Sequence, residues 1–421
     1  ADARTIRLWV AVIHQDGPDS APIPAVDFRG GPGFPASTGW VAGTIALDSR
    51  DSRTIVVVDE RGTGRSEPHL DCPEFAFAIP TTAPYADRRA DRLRLATLCR
   101  QRLESDGVDL DGYDTVESAA DFVDLRGALG IDQFVLRGVS YGGRLAREIY
   151  RQDPDGVAGL LLDSPVTTAP AGPASLITRA DDAIQRLAAA CAAQPTCAAH
   201  GPLEENLAAA AAHLDQQPYS APPLLMDGGF VHFGTWRVMS RSELIPVLPA
   251  ALASVAGGDD SILDALAAEF APAADPADNF AAGMNAVVLC ADEGAALTDA
   301  DRAAMTSPGV WEDVVLEFFP NCDAWDVTPV DGGRLQDPHG DVPVLALSGG
   351  LDPIIPAAFV DEVQAQFPNT TVVVVPAGGH VVWRYDDCLT SIALAFTASP
   401  AAPLDTTCTA NLPAPFAPPN E

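Results

Sequence analysis

Short apolar runs rich in β-branched residues recur along the chain, each closed by glycine or an acidic residue. They predict strands over 5–13, 23–28, 54–58, 133–136, 159–162, 342–347 and 370–375. The runs are nearly continuous in apolar character, as expected of parallel strands covered on both faces. Helical periodicity fills several of the gaps. Over 115–129, Val116, Ala119, Phe122, Val123, Leu125 and Leu129 fall near one helical face, and 144–151 continues as helix out of a glycine turn. Strand and helix in alternation predict a doubly wound α/β core.

From residue 168 to 330 the strand rhythm stops and alanine-rich helical segments take over, at 183–193, 203–214 and 262–270. Helices inserted between core strands predict a lid over the carboxyl ends of the strands, where α/β sheets place ligands. The expected division is a first part of the core at 1–167, a mainly helical cap at 168–330, and a second part of the core at 331–421. The last stretch, from Asn411, reads as a loose proline-rich tail.

Hydrophobic residues make up 47% of the 421 and charged residues 20%, enough apolar material for a large core and against global disorder. Lys plus Arg number 25 against 58 for Asp plus Glu, a formal charge of -33. Such a surface repels phosphate backbones and anionic lipid, which argues against nucleic acid and membranes as partners. Every basic side chain is arginine, which removes Schiff-base lysine chemistry and the P-loop lysine. Cys72, Cys99, Cys191, Cys197, Cys290, Cys322, Cys388 and Cys408 form no CxxC and have no histidine at zinc spacing. An oxidised, disulfide-bonded and secreted protein is the expectation. Sequential pairing, one of many connectivities, closes four modest loops. The first residue is alanine and no leader pattern follows, which suggests a leader already removed.

Candidate chemistry begins at Gly138-Val139-Ser140-Tyr141-Gly142, a G-x-S-x-G between an apolar strand and a helix-compatible segment. A strand-to-helix turn of this kind needs glycines for close packing and lifts the serine hydroxyl out at the top edge of the sheet, so Ser140 is the expected nucleophile. A serine needs a base. His380, in Ala377-Gly378-Gly379-His380 after the strand at 370–375, has the chain order and the glycine flanks for that role. The orienting acid belongs between them just past a core strand. Asp352 meets this in Gly349-Gly350-Leu351-Asp352-Pro353, and Asp163, at the end of the strand after the nucleophile, is the rival. For the developing oxyanion, Tyr141 offers the amide after the nucleophile, and Gly31, in Arg29-Gly30-Gly31-Pro32-Gly33 after an early strand, offers the second.

GGPG at 30–33, VVVDERGTGRSEPHLDCPEF at 56–75, RGVSYGG at 137–143, SGGLDPIIP at 348–356 and GGH at 378–380 together resemble the secreted actinobacterial tripeptidyl and prolyl aminopeptidase group of α/β hydrolases. The resemblance covers nearly the whole chain. It implies an α/β-hydrolase fold with a helical cap, Ser140, Asp352 and His380 as the catalytic residues, sequential disulfides, and release of short peptides or single residues from free amino termini. An exopeptidase must also neutralise a substrate ammonium. Asp292 and Glu293, where an apolar run ends at Cys290, are the candidates, while Asp59 and Arg61 in the DERG turn read as a structural pair. A peptide is therefore the leading substrate and a small-molecule ester the alternative, with a catalytically silent binding protein third. No metal or cofactor is implied.

Overall fold

In the computed structural model, residues 5–14, 23–38, 53–75, 85–167, 172–221, 224–268, 280–331 and 335–416 are described. Parts of the expected cap (168–171, 222–223 and 269–279) and the end of the tail (417–421) lie outside them. The apolar runs become strands β1 (Val10–Ile13), β2 (Ala25–Phe28), β3 (Ile55–Val58), β4 (Phe134–Val139), β5 (Val157–Asp163), β8 (Val344–Gly349) and β9 (Thr370–Val375). They form one sheet in the order β1-β3-β2-β4-β5-β8-β9. A small hairpin, β6 (Tyr219–Ala221) with β7 (Leu224–Met226), lies within the insert.

Pairing from β3 through β9 is parallel. The sheet is mostly parallel, as expected, and the first strand is the exception: β1 runs antiparallel to β3, Val10 opposite Val58 and Ile13 opposite Ile55. Apolar content marks a strand without encoding its direction, and an antiparallel edge strand on an otherwise parallel sheet is common.

Both faces of the sheet are covered, which is why its strands read as continuous apolar runs. Leu160 and Leu162 of β5 point into one cluster with Leu136 and Ile149, while Leu161 points into another with Leu345, Leu347, Val373 and Phe396. The first face is covered by α1 (Tyr85–Ser105), α2 (Thr115–Leu129) and α3 (Tyr141–Gln152). α2 spans 115–129 as expected. It starts on Asp114, whose side chain accepts from Glu117 N, and stops where Gly130 takes a left-handed conformation.

The insert forms its own apolar cluster from α4 (Pro173–Ala192), α5 (Leu203–Gln216), α6 (Gly228–Met239) and α7 (Leu248–Ala256), reaching the loop after β8 through Leu351. The later helix α8 (Ala282–Glu293) behaves otherwise. Met284, Val287, Val288 and Cys290 pack with the sheet cluster together with Trp325. The alanine-rich insert is thus not one body in packing: alanine content carries helix propensity and says nothing of which surface a helix buries. α9 (Phe359–Gln366) connects β8 to β9, and α10 (Asp387–Ala398) covers the second face.

Disulfides join Cys72–Cys99, Cys191–Cys197, Cys290–Cys322 and Cys388–Cys408, the sequential pattern. They tie the segment after the DERG turn to α1, staple the end of α4, fix α8 to the short helix Cys322–Trp325, and hold the turn at Thr407–Asn411, just ahead of the tail, to α10.

Candidate active site

β4 ends at Val139 and the chain enters α3 at Tyr141 through Ser140, whose backbone takes φ 56° and ψ -123°. A strained conformation of this kind costs roughly 1–3 kcal/mol and persists where the surroundings clamp it. Ser140 N donates to Asp163 O at 2.9 Å, and Ser140 O accepts from Gly143 N at 2.9 Å and Val166 N at 3.1 Å. Packing leaves no room for side chains beside it. A Cβ on Gly142 would lie 2.6 Å from Phe28 O, and one on Gly30 would lie 2.9 Å from Ser140 Cβ. The glycine turn after β2 therefore rests directly against the serine.

Asp352, in the loop after β8, has no exposed surface. Its Oδ1 accepts from Ile354 N at 2.8 Å and Ile355 N at 2.9 Å, and its Oδ2 lies 2.8 Å from His380 Nδ1. With Asp352 ionised, Nδ1 carries the proton and Nε2 is left as an acceptor. Burial pulls the His380 pKa down, but the charge and hydrogen bond of Asp352, with a further push from Asp163, outweigh it and leave the imidazole above its ordinary value.

Ser140 and His380 converge on the end of β5. Asp163, the rival acid, receives Val382 N and Trp383 N on Oδ2 at 2.7 Å each, so it anchors the backbone just past His380 rather than the imidazole. Burial lifts its pKa to about 6 against the pull of those two amides. Ser164 Oγ accepts from Val381 N at 3.1 Å. The Ser140 hydroxyl makes no hydrogen bond among the described residues. Catalytic hydrogen bonds of this kind commonly tighten only in the substrate complex.

The insert contacts this centre through backbone and hydroxyl groups that carried no local sequence signal. Just past α6, Ser240 O accepts from His380 N at 3.1 Å and Ser242 Oγ accepts from Gly379 N at 2.8 Å. From α4, Arg186 donates to Gly350 O at 3.1 Å and Asp352 O at 3.2 Å. Base loop and acid loop are both held from the cap.

The amides of Gly31 and Tyr141 have no acceptor among the described residues. For Tyr141 the cause is its place at the first helical position, where the helix ladder leaves N–H groups over. Tyr141 N directly follows the serine, and Gly31 N lies in the glycine turn that rests against it through Gly30.

Asp292 and Glu293 are placed differently from the expectation of substrate carboxylates. Asp292 has no exposed side-chain surface and accepts from Thr115 Oγ1 at 2.5 Å and Thr115 N at 3.3 Å. Glu293 pairs with Arg144 of α3 at 2.8 Å. Burial raises the Asp292 pKa to about 7, opposed by Arg144 and the Thr115 bonds. Both carboxylates are engaged inside the protein because the Thr115 and Arg144 side chains, far away in sequence, fold onto them. Asp59 and Arg61 are not a pair with one another either. Asp59 accepts from Ser37 N at 2.7 Å and Arg65 N at 2.9 Å, while Arg61 binds Asp121 through two bonds of 2.8 and 2.7 Å.

Residues 31–195 match the family model described as alpha/beta hydrolase fold, and residues 308–408 match the one described as TAP-like protein. The chain has the α/β-hydrolase fold. The first matched stretch of this hydrolase fold contains Gly31, Ser140 and Tyr141, and the second contains Asp352 and His380. Solved structures similar to it include a proline iminopeptidase of Mycobacterium smegmatis, 19% identical, with 93% of this chain and 95% of that one covered and a TM-score of 0.44. An esterase from Exiguobacterium antarcticum is 13% identical over 94% and 96%, with a TM-score of 0.39. A structure described as the putative non-heme bromoperoxidase BpoC of Mycobacterium tuberculosis H37Rv is 16% identical over 96% and 99%, with a TM-score of 0.44. No curated protein matches.

Proposed function

We propose that this protein is a serine hydrolase working through an acyl-enzyme, with peptides cleaved near a free amino terminus as its substrates. The observation that carries the reading is the 2.8 Å bond between Asp352 and His380 beside a serine held at φ 56°. Ser140 Oγ attacks the scissile carbonyl as His380 Nε2 takes its proton. Asp352 holds the imidazolium, and the Gly31 and Tyr141 amides receive the oxyanion. The leaving amine departs with the proton from His380, and water, deprotonated by the same imidazole, releases the acyl group and restores the serine.

The peptide specificity draws on the sequence resemblance and on the match of 308–408 to the TAP-like protein model. The four disulfides support an oxidising, extracellular setting. Ester hydrolysis is the second reading, and one observation favours it. The carboxylates that the sequence offered to a substrate ammonium are engaged by Thr115 and Arg144. Free and N-acetylated prolyl, alanyl and tripeptidyl anilides, assayed beside short acyl esters with Ser140→Ala as the blank, separate the two. Turnover confined to free amino termini is the expected result. Turnover of esters alone removes the peptidase half, and turnover by the Ser140→Ala blank removes the nucleophile.

A further inference from the structure

The two free amides beside Ser140 belong to segments far apart in sequence, the turn after β2 and the start of α3. Both are gripped by α8. At its amino end, Ala281 N donates to Gly33 O at 3.0 Å and Asn285 Nδ2 donates to Pro32 O at 3.0 Å. The Phe280 ring lies 4.7 Å from that of Phe34, centre to centre. A Cβ on Gly33 would stand 2.8 Å from Ala281 O, and one on Gly31 would stand 3.1 Å from the Phe280 ring. The turn and the helix start are in contact with no space between them.

At the carboxyl end of α8, Asp292 accepts the Thr115 hydroxyl, and Thr115 Oγ1 lies 2.9 Å from the Tyr141 hydroxyl. With Asp292 ionised, the one proton of Thr115 goes to the carboxylate, so Tyr141 donates to Thr115. Glu293 adds the ion pair with Arg144 one turn into α3. Asn285 and Asp292 are seven residues apart and share a helix face, separated by about 10 Å of rise. The Cys290–Cys322 disulfide fixes the helix between them.

We infer that α8 is a brace that sets the spacing of the two oxyanion donors, with Asn285 positioning the Gly31 side and Asp292, through Thr115, positioning the Tyr141 side. This rests on the serine-hydrolase reading and deepens it. The hole stabilises charge only if its donors are held where the oxyanion forms, and a rigid helix tied to both segments supplies that fixity. None of Asn285, Thr115 or Asp292 touches the reacting atoms, so their effect falls on the transition state and leaves ground-state binding alone.

The test uses the full, disulfide-bonded chain. Asn285→Leu, Thr115→Val and Thr115→Ser are compared with the parent for labelling of Ser140 by a fluorophosphonate probe and for kcat and KM on whichever anilide or ester of the panel above the parent turns over fastest. Asn285→Leu and Thr115→Val should each lower kcat and the labelling rate about tenfold or more, with KM within about twofold. Thr115→Ser, which keeps the hydroxyl, should restore the rate to within about threefold of the parent. If Thr115→Val does not fold, Tyr141→Phe cuts the same tie from the other side and should show the same loss. Parental rates in the Leu and Val variants overturn the brace, as does an equal loss in Thr115→Ser and Thr115→Val or a loss confined to KM. A parent that the probe does not label at Ser140 overturns the serine-hydrolase reading and the brace with it.

Discussion

Asp352 and Asp163 both reach the His380 loop, yet they act on different atoms. Asp352 holds the imidazole Nδ1, while Asp163 holds the amides of Val382 and Trp383. Replacing each by asparagine separates the two roles. Asp352→Asn can present its NH2 group to Nδ1 and favour the wrong tautomer, so on the serine-hydrolase reading kcat should drop by about 10⁴-fold, the loss seen for this change in Ser-His-Asp enzymes. Asp163→Asn still offers an oxygen to both amides, and the loss should stay within about tenfold. Steady-state kinetics on the better substrate class reads both, and an Asp163→Asn loss as deep as that of Asp352→Asn would make Asp163 the acid. Sequence order named both acids, and Asp352 ranked first because Asp163-Ser164-Pro165 equally suits a strand-ending turn. It carried no trace of Thr115 or Asn285, since a hydroxyl and an amide gain their roles only from what folds against them.

Among the elements, the strand positions followed from apolar runs, and the turn around Ser140 followed from its glycines. Direction and partnership did not. β1 came out antiparallel, and α8 left the alanine-rich insert to pack on the sheet cluster. A disulfide on that helix should therefore matter more than one in the cap. Cys290–Cys322 closes a separation of 32 residues and Cys191–Cys197 one of 6. Loop-closure entropy then predicts losses of about 4 and about 2 kcal/mol when each pair is replaced by alanine. Urea unfolding measures the difference. Loss of kcat should accompany the first pair alone, and equal effects from the two would argue against a special place for α8.

For the whole molecule, 58 acidic residues face 25 basic ones, so some carboxyls are buried without a cation beside them. Glu60 is one: burial first, then the charges of Asp121 and Asp59, push its pKa to about 8, and its Oε2 has no hydrogen-bond partner among the described residues. Asp292 at about 7 and Asp163 at about 6 shift the same way. A carboxyl with a raised folded pKa contributes stability that is full below its unfolded value, near 4.5 for Glu60, and is lost as pH rises toward 8. Tm should fall between pH 5 and pH 8. Glu60→Gln, neutral throughout, should flatten that slope and raise Tm at pH 8; an unchanged slope in thermal melts would assign the loss to other groups.

What the sequence by itself determined is local: which runs are strands, where glycines force a tight turn, and which serine, aspartate and histidine stand in such turns. Those properties depend on residues within a few positions of each other. Tertiary structure alone decided the direction of β1, the allegiance of α8, the choice of Thr115 and Arg144 as partners for Asp292 and Glu293, and the grip of Asn285 on Pro32. Each of these is a contact between segments tens to hundreds of residues apart, and such a contact is set by how faces pack, which local periodicity does not encode.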